Sequence, residues 1–229
     1  MRLLEAILDA NHRALAGDAT AGVRPREHAD ALPLVVLTCF DPRMHPLMPE
    51  VIGIPEPEFI WLTNGGNIVT HPLSSTVRSL ALACAVHGGK EIVIIGHTDC
   101  LFFQPARLVA NSFLQSWKLD LGPAARQLDE FLSRHFDGTQ NVRLAAKLVR
   151  ESPLISNRVP VHGLMVDVES GRLERVVNGY EGVGLLSGKV GLGPPPVSSV
   201  STPPSSPPLG TGALRRPSIG TDLPPIGSA

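Results

Sequence analysis

The chain has 229 residues, a nearly balanced charge (20 Lys and Arg against 21 Asp and Glu) and three cysteines. That length allows a domain of ordinary size plus a tail, with a core that needs no disulfides, and the balanced charge excludes the basic footprint of a nucleic-acid binder. An odd, scattered set of thiols fits a reducing, cytoplasmic setting better than a disulfide framework, and apolar runs too short to span a bilayer point to a soluble protein with no membrane partner.

Leu3, Leu4, Ile7, Leu8 and Leu15 fall near a helical stripe, and Glu5 and Asp9 interrupt the run in a way that a secretory signal would not tolerate. A short amphipathic helix that docks on something is expected. "ALPLVVLTCF" and "EFIWLTNGG" read as buried strands, because each is short, rich in β-branched or aromatic residues and closed by turn formers. "SSTVRSLALACAVHGGK" is a helix with a Ser cap at its start and Gly88-Gly89 at its end, and "EIVIIGHTDC" is a third strand. Strand, helix and strand in this order form a βαβ unit, whose parallel sheet is covered on both faces.

From about Phe103 to Glu151 three segments carry 3.6-residue periodicity: "PARLVANSFLQSW", "GPAARQLDEFLSRHF" and "TQNVRLAAKLVRESP". "VPVHGLMVDVESGRLERVV" then alternates around Glu169-Ser170-Gly171 as a hairpin that adds edge strands. The expected fold class is α/β: a central, mostly parallel sheet flanked by helices, with a C-terminal hairpin at its edge. From residue 182 to 229 the chain is rich in Pro, Ser and Gly and almost empty of large apolar residues, so the domain is expected to span 1–181 and a disordered tail to follow.

Two of the strands end in metal-ligand chemistry. Cys39 closes the first, and His97 and Cys100 close the third. Thiolate and imidazole are the donors that zinc prefers, and three protein ligands with one open position make a catalytic site rather than a structural one. Either half alone carries little weight, since a lone strand cysteine usually acts as a small core hydrophobe. Joined on adjacent parallel strands, the two halves become a candidate site with one zinc ion per subunit. Cys84, inside the helix, reads as core, and His45 and His71 read as ordinary loop histidines.

The pair C-x-D-x-R (Cys39, Asp41, Arg43) and H-x-x-C (His97, Cys100) resembles the signature of the β-class carbonic anhydrases. "NGGN" at Asn64 to Asn67 is similar to that family's Asn-Ala-Gly turn, and "SPLISNRVPVHGLMVDVESGRLERV" to its closing segment. The resemblance implies an enzyme that interconverts carbon dioxide and bicarbonate, using water activated on zinc as the nucleophile. It also implies a homodimer or larger homo-oligomer, with the N-terminal helix packed on the neighbouring subunit. In such a site Asp41 would orient the water and Arg43 would hold Asp41 off the metal in a bidentate pair; released, Asp41 would become the fourth ligand. Two thiolates offset the charge of the ion, so a pH–rate profile that still rises above neutrality is expected.

Some residues depart from the family pattern. Thr63 stands where the family usually has Arg, and Leu101-Phe102 follow Cys100 where glycine is usual. Pro42 replaces a common Ser and points away from the metal. The more apolar surroundings leave two alternatives open beside carbon dioxide hydration: a zinc hydrolase of carbon disulfide or carbonyl sulfide, and a catalytically silent zinc-binding relative that uses its tail to bind partners. The Asp41–Arg43 pair argues against the silent relative, because a structural site needs no such pair.

Overall fold

The computed structural model describes residues 1–103 and 137–183. The first two of the expected middle helices, and the tail beyond residue 183, lie outside them. Within the described residues a single sheet of five strands runs in the order β2-β1-β3-β4-β5, made of β1 (Leu34–Cys39), β2 (Phe59–Asn64), β3 (Glu91–His97), β4 (Val161–Val166) and β5 (Leu173–Val177). The first four are parallel to one another and β5 returns antiparallel to β4, which closes the expected hairpin.

Every residue of β1 and of β3 is buried. That is why both read as continuous apolar runs rather than as alternation. Alternate side chains still serve different layers. Leu34, Val36, Val93 and Ile95 pack with the helices α1 (Leu3–Leu15) and α2 (Met44–Ile52), whereas Val35, Leu37, Ile92 and Ile94 pack with α3 (Ser75–His87) and α4 (Gly138–Arg150). The result is a helix–sheet–helix sandwich. α4 comes close because strand glycines admit it: a Cβ on Gly96 would lie 2.7 Å from Val142 Cγ2, and one on Gly163 would lie 2.6 Å from Val142 Cγ1.

α1 buries Leu3, Leu4, Ala6, Ile7 and Ala10 within its own chain. This is the docking expected of an amphipathic first helix, here onto the helices and hairpin of its own chain. The anchor is polar as well as apolar: the buried Asn11 donates through Nδ2 to the carbonyls of Val51 (3.2 Å) and Gly171 (2.9 Å), and its Oδ1 accepts from Leu173 N–H (2.9 Å). One amide thus ties α1 to α2 and to the β4–β5 hairpin.

α2 was not legible in the sequence, because Pro46 and Pro49 mask it. A proline in a first helical turn forfeits no hydrogen bond, and Pro49 forfeits one that the burial of Met44, Met48, Val51 and Ile52 offsets. Gly53, in the left-handed region at φ 66°, ends the helix.

The connections decide where a site can form. The chain leaves β1 toward β2 at one edge, crosses back to β3 on the other side of β1, and leaves β3 toward β4. The carboxyl ends of β1 and β3 therefore flank the place where the winding reverses, which is where open α/β sheets have their crevice.

Candidate metal centre

Cys39 is the last residue of β1, His97 the last of β3, and Cys100 follows one turn later. Their ligand atoms lie within 4.8 Å of one another, and all three residues are buried. The two sulfurs are 4.0 Å apart. A tetrahedral ion with metal–sulfur bonds of about 2.3 Å would hold them about 3.8 Å apart, so the two sulfurs already stand close to a zinc spacing.

The histidine is prepared for the same role. Its Nδ1–H donates to the Thr98 carbonyl at 2.8 Å, and its Nε2 is buried with no hydrogen-bond partner. A carbonyl on one ring nitrogen leaves the lone pair on the other, the tautomer a metal ligand needs. An orphaned nitrogen facing two thiols is costly unless something fills the gap.

The Cys39 sulfur collects donors. Asp41 N–H approaches at 3.4 Å and Gly66 N–H at 3.3 Å. With the Cys100 thiol as the leading donor, these hold the Cys39 thiol at about 4, far below its ordinary value, despite burial. Cys100 is pushed up by the same contact and by burial. Burial works to lower His97, but the Cys39 sulfur and the Thr98 carbonyl outweigh it and raise the ring.

The "NGGN" turn that supplies Gly66 N–H is shaped from several directions. Asn64 closes it on itself, donating to Ile68 O (2.8 Å) and accepting from Ile68 N–H (3.0 Å). Gly66 sits at φ 66°, a conformation that favours glycine. The Phe102 ring lies against Gly65, where a Cβ would meet it at 2.9 Å, and stacks edge-on with Phe40 at 5.1 Å between centroids. The buried Asn141 of α4 donates to Gly66 O at 3.0 Å. Thr63 is exposed. The turn is thus braced by Asn64, Phe102 and Asn141, without the family's arginine.

Asp41 is buried beside the site, with its carboxylate held by Arg43 through Nε–Oδ1 (2.9 Å) and Nη2–Oδ2 (2.8 Å). Those bonds lower its carboxyl to about 2, so it is charged at any ordinary pH. Arg43 also reaches Asp99, with Nη1 to Oδ2 and Nη2 to the backbone carbonyl, both at 3.0 Å. Sequence reading missed Asp99 and Asn141. An acid between two ligands is a usable signal for the first; nothing local marks the second, which is 75 residues from the glycine it holds.

The remaining candidates lie elsewhere. His45 is an exposed residue of α2, rather than of a loop, stacked on Trp61 at 5.7 Å. His71 is an exposed turn residue whose Nδ1 accepts from Leu73 N–H. Cys84 is half-buried behind the α3 side of the core, its thiol pushed up by desolvation.

Comparison with known proteins agrees with this geometry. The carbonic anhydrase family pattern matches residues 34–173. A Bacillus subtilis (strain 168) protein provisionally named carbonic anhydrase YvdA is 32% identical over 157 residues, covering 65% of this chain and 78% of its own. A carbon disulfide hydrolase of Saccharolobus solfataricus is 30% identical over 161 residues, covering 62% and 76%. Among solved structures, β-carbonic anhydrase isoform I of Trichomonas vaginalis superposes with a TM-score of 0.58 at 27% identity, over 79% of this chain and all (100%) of that one. On the fold, the clustered Cys, His and Cys donors and these matches together, the chain belongs to the β-class carbonic anhydrase family.

Proposed function

We propose that the protein is a zinc enzyme that reversibly hydrates carbon dioxide to bicarbonate and a proton, with Cys39, His97 and Cys100 holding one ion per subunit. The observation that carries this reading is the buried, unpartnered His97 Nε2 facing two sulfurs 4.0 Å apart. Zinc so held would supply the Lewis acidity that makes water reactive near neutral pH.

This chain's residues do the rest. Asp41, charged and fixed by Arg43, accepts a hydrogen bond from the reacting water and orients its lone pair toward substrate. Arg43 keeps both Asp41 oxygens occupied, so the carboxylate stays out of the water's place. The N–H groups of Asp41 and Gly66 stabilise the Cys39 thiolate and fix its direction. Phe40 and Phe102 form an apolar wall that suits a small linear molecule without hydrogen-bond donors.

The same wall supports a second reading, hydrolysis of carbon disulfide or carbonyl sulfide, because larger, softer heterocumulenes gain more from aromatic contact. A relative named as a carbon disulfide hydrolase stands at 30% identity. The test is stopped-flow hydration of carbon dioxide by the purified protein, with carbon disulfide offered in parallel and zinc measured on the wild type and on Cys39→Ser. Loss of zinc together with activity in Cys39→Ser supports the proposal; activity without zinc refutes it, and full zinc with carbon disulfide turnover alone selects the second reading.

Three further parts of the proposal concern the whole chain. It works as a homodimer or larger homo-oligomer, in the cytoplasm where its thiols stay reduced. Its catalytic domain ends near residue 181, before a Pro/Ser/Gly-rich tail. Among the described residues no helix is long and apolar enough to cross a membrane.

A further inference from the structure

The Arg43 guanidinium does more than pair with Asp41. All three of its nitrogens are engaged: Nε and Nη2 on the two Asp41 oxygens, Nη1 on Asp99 Oδ2, and Nη2 again on the Asp99 carbonyl. Asp41 belongs to the loop that leaves Cys39, and Asp99 to the turn between His97 and Cys100. One side chain therefore spans the two segments that carry the three candidate ligands.

Asp99 adopts φ 51°, a left-handed conformation uncommon outside glycine and most accessible to Asn and Asp. That conformation turns its carbonyl and its carboxylate onto the same guanidinium. Its carboxylate is largely exposed, at 65%, while that of Asp41 is 6% exposed. The outer acid thus holds the arginine from the solvent side and the inner acid receives it.

We infer that Asp99 is a positioning residue: it locks Arg43 across the two ligand-bearing segments, and so keeps the Asp41 carboxylate paired and away from the metal position. The inference rests on the zinc-site reading above. Without the Asp99 carboxylate, Arg43 keeps one of its two bonds to residue 99 and loses its charged partner there. It then swings from Asp41 more often, and the freed carboxylate competes with exogenous ligands for the ion.

Cobalt(II)-loaded protein tests this without reference to turnover, by titrating azide and following the visible absorption of the ion. Asp99→Gly, which accepts φ 51° without strain, is expected to weaken azide binding about tenfold at one cobalt per chain. In an Asp41→Asn background the same substitution is expected to change azide binding less than twofold, because no carboxylate remains to compete. Asp99→Asn, which keeps the left-handed preference and an amide oxygen but no charge, is expected to give an intermediate change of about threefold. Equal azide affinity in wild type and Asp99→Gly, or the same tenfold loss in both backgrounds, overturns the inference. A wild type that binds no cobalt overturns the zinc-site reading with it, whereas a wild type that binds cobalt but leaves carbon dioxide untouched overturns only the proposed activity.

Discussion

Cys39 receives two backbone N–H groups and lies within reach of Cys100 and His97, so its contribution to a metal site is not interchangeable with that of an oxygen. Serine there is expected to lower zinc affinity by about 100-fold or more, read by competition with a chromogenic chelator, since even outer-sphere changes cost about 10–100-fold. Arg43→Lys tests the fork geometry. A point charge cannot serve two Asp41 oxygens and Asp99 together, so kcat/KM is expected to fall about tenfold with zinc content unchanged. The pH dependence follows from signs. Asp41 is depressed to about 2, so the stability it draws from Arg43 is complete above the unfolded carboxyl value of about 3.9 and is lost only as pH falls through about 2. Asp41 therefore stays charged throughout pH 6 to 9, and under the proposed zinc mechanism a rise in rate there would belong to metal-bound water. A profile that climbs above neutrality is expected in the wild type, and Asp41→Asn should lower it without moving its midpoint below pH 6.

At the scale of elements, the ends of strands carry the candidate ligands and polar side chains on distant helices hold those ends in place. Asn11 shows how much rests on one such residue. Replacing it with Ala leaves the Val51 and Gly171 carbonyls and the Leu173 N–H without partners, and is expected to cost about 2–3 kcal/mol in urea denaturation. Gly66→Ala meets two obstacles at once, a left-handed φ and a Cβ only 3.1 Å from that of Phe102. Displacing the turn withdraws the N–H from Cys39, so a loss of about 1–2 kcal/mol in stability should come with weaker metal binding. β1, β2, β3, α3 and the hairpin were legible from periodicity because each is a regular run with its breakers in place. α2 was hidden by two prolines that local rules count against a helix, and that tertiary burial overrides.

In the whole molecule, the end of the sheet away from the ligands is closed by a second polar device. Gly179 N–H donates to His162 Nδ1 (3.0 Å), which leaves Nε2–H to donate to Glu91 Oε2 (3.1 Å); Tyr180 Oη reaches the same carboxylate at 2.9 Å and accepts from Leu4 N–H at 3.4 Å. The cluster links β3, β4, the segment after β5 and α1 around one buried acid. Tyr180→Phe removes one of the donors to Glu91 and is expected to cost about 1–2 kcal/mol of stability with zinc content intact, measured by thermal unfolding and metal analysis. The sequence by itself determined the layered α/β class and marked the candidate ligand triplet and the Asp–Arg pair, because β-branched runs ending in Cys, His and Asp are local patterns. Only the tertiary structure decided that the first helix folds back on its own chain, that Arg43 bridges to Asp99, and that Asn141 and Phe102 brace the turn beneath Cys39. Those contacts depend on strand order and on angles of approach, and nothing in the linear spacing of the residues encodes them.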